Sequence, residues 1–230
     1  MKKVLLIVLL LVLGAVGVVT YKGYQLLKTG GFGTTAVRGS GNVVTEARTV
    51  GPFTSVDLSG IGNAFIVRGG TPGLSVKADD NLLPLLISEV RDGTLHLSIK
   101  DGTSIGAGHV EYRVTAGDLR EIDVSGAANL QASGVAGAAL TVEVSGAAQA
   151  RLSGRADKLT ASVSGAGELD AAALAAKRAT VTASGAASVS VNVSDALDAH
   201  ASGAGSVHYL GTPKLTTDIS GAGSVAPARR

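Results

Sequence analysis

From residue 42 onward, apolar and polar side chains mostly alternate, the period-2 pattern of strands with one buried face. Leu74, Val76 and Ala78 carry it, as do Leu95, Leu97 and Ile99, then Val110, Tyr112 and Val114. Val44 to Val56 reads as strand broken at Pro52, and Ala64 with Ile66 as the return strand. The apolar run Leu82 to Ile87 follows Asp79-Asp80-Asn81. It predicts a short helical turn that covers the core or packs beside it.

A second period organises the rest. Ser125-Gly126-Ala127-Ala128 returns as Ser-Gly-Ala followed by Ala or Gly at Ser145, Ser164, Ser184, Ser202 and Ser220, at intervals of 20, 19, 20, 18 and 18 residues. Ser59-Gly60-Ile61-Gly62 is a looser upstream copy. Aligned on the serine, the positions one and three before it and five after it are almost all Val, Ile, Leu or Ala. Those two and four before it are Asp, Glu, Thr, Ser or His. Each unit thus reads as two short strands around a corner, and units stack because none buries its face alone. This predicts an all-β fold, a right-handed parallel β-helix (a solenoid) with 18–20-residue coils, preceded by one N-terminal hydrophobic helix.

In that register the pairs Ser59-Gly60, Ser125-Gly126, Ser145-Gly146, Ser164-Gly165, Ser184-Gly185, Ser202-Gly203 and Ser220-Gly221 form a structural corner ladder. A serine nucleophile occurs once, whereas these are repeated, so the corner reading prevails. The segment Glu168 to Arg178 has high helix propensity. Leu169 and Ala171 nevertheless fall on inward positions, so strand is expected there too.

Three segments follow. Residues 1–28 are a signal anchor or signal peptide, 29–41 a Gly-rich flexible spacer, and 42–228 the folded domain. Lys2 and Lys3 precede an apolar run from Val4 to Val19. Ala15-Val16-Gly17 is a passable cleavage site, while Val4 to Tyr24 suffices as an uncleaved anchor. Either way the chain is expected to be exported. It is then anchored in the cell membrane with the domain outside the cytoplasm, or periplasmic or secreted after cleavage.

Charge changes the picture of partners. Four lysines lie in the first 30 residues, which hold no acid; beyond them sixteen basic residues face eighteen acidic ones. With no basic cluster and 3 % aromatics, nucleic acid is excluded as a partner. The chain has no cysteine, hence no disulfide, thiolate site or cysteine nucleophile.

Little chemistry stands out. His200 and His208 flank one corner on different strands, and with His96 and His109 they give no third ligand for zinc. Asp123 and Glu143 fall at equivalent outward positions. With Glu121 they could hold calcium weakly, against the plainer reading of a solvated face. Arg113 and Arg120 lie near those acids, but Tyr112, the aromatic in reach, points inward. No catalytic, cofactor-binding or metal site is assigned, and no cofactor is expected.

The chain resembles the head GIN domain family, whose bacterial members are described as autotransporter adhesins. The resemblance lies in Glu46-Ala-Arg-Thr-Val-Gly-Pro-Phe53, Val56-Asp-Leu-Ser-Gly60, Val76-Lys-Ala-Asp-Asp-Asn-Leu-Leu83 and Thr94-Leu-His-Leu-Ser-Ile-Lys100, followed in order by the Ser-Gly-Ala-Gly units. It covers about residues 42 to 226. It implies a right-handed β-helix at the cell envelope with a suggested role in adhesion, and no catalytic residues. This copy is richer in Ala and poorer in the aromatics that a sugar-binding face would use.

The function expected is therefore a non-enzymatic envelope protein acting in adhesion, surface binding or assembly. The alternatives are a carbohydrate-active β-helix enzyme and a membrane-tethered structural or signalling subunit. Expected partners are the membrane through the N-terminal segment, an envelope, glycan or protein ligand, and a second copy through the solenoid ends.

Overall fold

A computed structural model of the chain describes residues 36–228. The first half holds β1 (Val37–Arg38), β2 (Val43–Arg48), β3 (Ser55–Arg68), β4 (Gly73–Asp79), β5 (Leu86–Arg91), β6 (Thr94–Ile99), β7 (Ile105–Ala107) and β8 (Val110–Ala116). The second half holds β9 (Glu121–Val144), β10 (Gln149–Val163), β11 (Glu168–Ala183), β12 (Ser188–Ala201), β13 (Ser206–Leu210), β14 (Lys214–Ile219) and β15 (Ser224–Pro227). A 3-10 turn at Leu83–Leu85 interrupts them.

The parallel β-helix predicted from the repeats is corrected by the sheet. Thirteen strands form one mixed sheet, in the order β15-β13-β12-β11-β10-β9-β3-β8-β4-β2, with β14 beside β12 and β5-β6 beside β3; β1 and β7 make a separate pair. β2 runs antiparallel to β4, β4 to β8, and β5 to β6. The cause is local. In the second half each residue pairs in parallel with one about 20 positions on, whereas upstream β5 and β6 fold directly back on each other. A parallel neighbour needs a crossover of a dozen or more residues. Between β5 and β6 only Asp92 and Gly93 intervene, both at positive φ (50° and 78°). That is the geometry of a two-residue hairpin turn, and it dictates antiparallel pairing.

The expected N-terminal hydrophobic helix lies outside the described residues. Among the described residues no helix is long and apolar enough to cross a membrane. Residues 37–41, within the stretch read as spacer, are built into the domain. Val37–Arg38 pairs with Ile105–Ala107, and the Gly41 amide donates to Asp79.

From β3 through β12 the pairing is parallel and keeps like opposite like. Ser59 faces Ser125 and Gly60 faces Gly126; Thr160 lies between Thr141 and Thr180, with Val181 opposite both Ala161 and Ala199. Alternation then buries one set of side chains. Val124, Val144, Val163 and Ala183 are at most 1 % exposed. Ile122, Leu140, Leu159, Leu169 and Leu197 join them. Each fully buried Leu or Ile contributes roughly 2 kcal/mol of transfer free energy, so from β9 to β12 thin layers of Val, Leu and Ala serve without aromatics. Glu168 to Arg178 is strand, as its register demands.

The inward pattern fails at the last unit. Ile219 and Leu215, whose equivalents Ala201 and Leu197 in the preceding unit are buried, are 46 % and 39 % exposed; among the described residues β14 pairs with β12 on one side and with no strand on the other. At the other end Leu82 and Leu86, from the apolar run, close the core. Tyr112 also lies inside it, and burial pushes its phenol up to about 12 against a small opposing pull from Arg48.

Candidate binding surface

The corner residues come first. Gly60 and Gly126 are paired, and the carbonyls of Gly126, Gly146, Gly165, Gly185 and Gly203 accept the amides of Ala147, Ala166, Ala186, Ala204 and Ala222 in the following unit. Ser145, Ser164, Ser184, Ser202 and Ser220 donate their amides to the strand ahead of the previous corner. Gly221 closes the series against Gly203. No corner serine hydroxyl is hydrogen-bonded to a histidine among the described residues.

Two outward faces flank this corner. On the face ahead of it, Asp57 stands between His96 and Asp123. Glu143, Ser162, Thr182, His200 and Asp218 continue the row across the sheet. His96 Nδ1 lies 2.9 Å from Asp57 Oδ2, and His200 is 3.4 Å from Asp198 and 3.7 Å from Asp218. Partial burial raises the Asp123 carboxyl above the usual range, and the neighbouring charges of Asp57, Glu143 and Glu121 add to the shift.

Among the described residues no group of three or more His, Asp or Glu side chains could hold a metal ion. His200 and His208 sit on separate rows, His208 opposite Ser190. The acids of Asp123, Glu143 and Glu121 repel one another instead.

The sign of that repulsion is testable. A carboxyl whose folded pKa is raised takes up its proton more readily folded than unfolded, so its ionisation opposes folding above that pKa. Asp123→Asn is therefore expected to stabilise the protein by a few tenths to about 1 kcal/mol at pH 7, the scale of a like-charge cross-strand pair. The gain should shrink to nothing as the pH falls through the raised pKa towards 3.8. Thermal melts of both proteins across pH 3–8 check it; an unchanged or lowered melting point at pH 7 contradicts it.

The face beyond the corner is built differently. Its first row runs Asn63, Asn129, Gln149 and Glu168, with Asn129 donating to Asn63 at 3.0 Å. The adjacent row runs Arg113, Phe65, Gln131, Arg151 and Asp170. Phe65 is 38 % exposed, and the Arg113 guanidinium lies 5.9 Å from its ring centroid. Alternation about Ala64 and Ile66 already places Phe65 outward. Weighing aromatics by overall count hides it.

Surface recesses are shallow. One, of about 600 Å³, is lined by Asp118, Leu119, Arg120, Glu121, Thr141 and small residues. Asp118 is engaged by Arg68 at 2.7 Å, and no histidine lines the recess. Two smaller ones, about 270 and 180 Å³, adjoin on the Phe65 face and share Gln131 and Arg151.

A structural polar knot lies at the opposite end. Asp79, 2 % exposed, accepts the amides of Gly41 and His109 at 3.0 and 2.8 Å. Its neighbour Asp80 accepts from the Ser40 hydroxyl and, at 2.8 Å, from Asn42. These bonds, Ser40 foremost, hold its carboxyl below the usual range. Nothing local in the sequence announces this clasp, because its donors lie 38 and 30 residues away from Asp79.

Comparisons with known proteins agree with this architecture. The crystal structure of "a putative adhesin" from Bacteroides fragilis NCTC 9343 superposes with a TM-score of 0.65 at 22 % identity, covering 84 % of this chain and 100 % of that one. A "putative lipid binding protein" from Parabacteroides distasonis ATCC 8503 gives 0.53 at 22 % identity, over 85 % and 100 %. A "putative adhesin" from the same organism gives 0.51 at 20 % identity, over 84 % and 100 %. At these identities the likeness is one of fold. No curated protein matches the chain. The family model described as "Putative auto-transporter adhesin, head GIN domain" matches residues 52–213. The chain belongs to the head GIN domain family.

Proposed function

We propose that the domain is a non-enzymatic binding module of the cell envelope that adheres through its outward sheet faces. The observation that carries this reading is the pair of faces themselves. Polar side chains stand in register across successive strands, as in Thr141, Thr160 and Thr180, and form an extended flat array. Such an array suits many weak contacts to a large surface. A hydrolase or lyase needs a cleft that converges an acid, a base and a substrate subsite. The family and the similar solved structures carry descriptions as adhesins or binding proteins. In this reading the N-terminal apolar segment ties the chain to the membrane and the domain lies outside the cytoplasm.

The test displays the full-length chain on host cells and measures their retention on surfaces coated with polysaccharides and with matrix proteins. Retention above that of cells lacking the chain is expected on at least one coat. Equal retention on every coat, or release of reducing ends from polysaccharide by the purified chain, overturns the reading.

A further inference from the structure

We propose that the strip centred on Phe65 and Gln131 is a glycan-binding site that takes a neutral polysaccharide chain lying across the strands. The inference rests on the binding-module reading and names its ligand class.

Four observations support it. Phe65 is a large apolar ring left 38 % exposed on a polar face, with Arg113 against it. An exposed ring costs solvation unless something covers it, and the flat apolar face of a sugar ring is a complementary cover. Second, the two adjoining recesses make one shallow trough, running from Asn63 and Phe65 through Gln131 and Arg151 to Asp170. Third, the trough is lined by Asn63, Asn129, Gln131 and Gln149, whose amides both donate and accept, as sugar hydroxyls do. Fourth, charge on the strip is balanced. Arg113 donates to Glu111 at 2.8 Å, and Arg151 stands opposite Asp170.

These features decide between ligand classes. A polyanion needs a surplus of cations, and a lipid surface needs a contiguous apolar patch. The strip has neither: its cations stand against carboxylates, and the exposed apolar side chains there, Phe65 and Val67, make a patch of two beside the amides. Rows repeat at the strand spacing of about 4.8 Å. A polymer can therefore meet Phe65, Gln131, Arg151 and Asp170 in turn at equivalent register positions, where a single ring would span only one or two.

The experiment uses the purified full-length chain in detergent micelles, run in native gels containing dextran, laminarin or galactomannan. Heparin and phosphatidylcholine vesicles serve as the contrasting probes. At least one neutral polysaccharide is expected to retard the protein. Phe65→Ala is expected to weaken that binding about tenfold, the equivalent of one stacked aromatic contact, and Gln131→Ala to weaken it as well. Thr182→Ala, on the other face, should leave it unchanged. Both strip residues are exposed, and matching thermal melts show that the variants fold.

Retardation that survives both strip substitutions, the absence of retardation by all three neutral polymers, or capture by heparin or vesicles through Phe65 overturns the proposal. Cell retention separates this from the broader reading. If displayed cells are retained but the strip variants are retained equally, the strip is wrong and the binding module stands. If no coat retains the cells, the module reading fails, and the gel result decides the strip alone.

Discussion

Gly126→Val is expected to cost about 3–5 kcal/mol, a large share of the 5–15 kcal/mol that holds a typical domain folded. Two effects combine. Gly126 has φ of +84°, where a β-branched residue is strained by about 1–3 kcal/mol. A Cβ there would also stand 2.5 Å from the Gly60 carbonyl oxygen, so β3 and β9 would have to separate. Gly41 has the same φ of +84° but nothing within 4 Å of its Cβ position. Gly41→Ala should therefore lose only about 1 kcal/mol, whereas Gly126→Ala should lose distinctly more. Urea unfolding of the variants separates backbone conformation from stacking. Equal losses at the two sites would show that close approach at the corner contributes nothing.

Asp79→Ala is expected to destabilise the domain by about 3–4 kcal/mol. It removes the charged acceptor of the Gly41 and His109 amides, two partly buried hydrogen bonds worth about 1.5–3 kcal/mol each. Asp79→Asn keeps one carbonyl oxygen and should lose about half as much. The loss should concentrate in the segment from Gly39 to Asn42 and at the start of β8. Hydrogen exchange of the Gly41 and His109 amides against the amides of β11 checks this. Uniform loosening of the whole sheet contradicts a local clasp.

Sequence alternation located the buried side of almost every strand, because burial of Val124 or Leu169 follows from period 2 alone. The Ser-Gly-Ala spacing likewise aligned units that pair in register. Strand direction is another matter. Alternation is the same for a parallel and an antiparallel neighbour, so it does not foretell the mixed thirteen-strand sheet that overturns the β-helix expectation. Asp92-Gly93 was the available local cue.

The candidate strip was legible only in pieces. Phe65 is outward by alternation. Gln131, Arg151 and Asp170 fall six residues after their serines, as Phe65 does after Ser59, so the serine alignment carries this row even though the residue types in it differ. Asp79 was hidden because its donors, 38 and 30 residues away, belong to no repeated unit. Leu215 and Ile219 continue the alternating sequence pattern yet are exposed, because among the described residues β14 is paired on its β12 side alone.

The corner joint bears on how such a chain can change length. Each joint from Gly126 to Gly203 is the same bond, a glycine carbonyl meeting the amide two residues past the serine of the next unit. Any unit can therefore sit on any other. Removing the 19 residues 145–163, or duplicating a whole unit, would leave a joint of the same kind on both sides. Removing ten would turn inward Val and Leu positions out of step with their neighbours. Gains and losses in this half of the gene should thus be tolerated in whole units and selected against in fractions, which makes the breadth of the two faces a quantity that evolution can adjust in discrete increments.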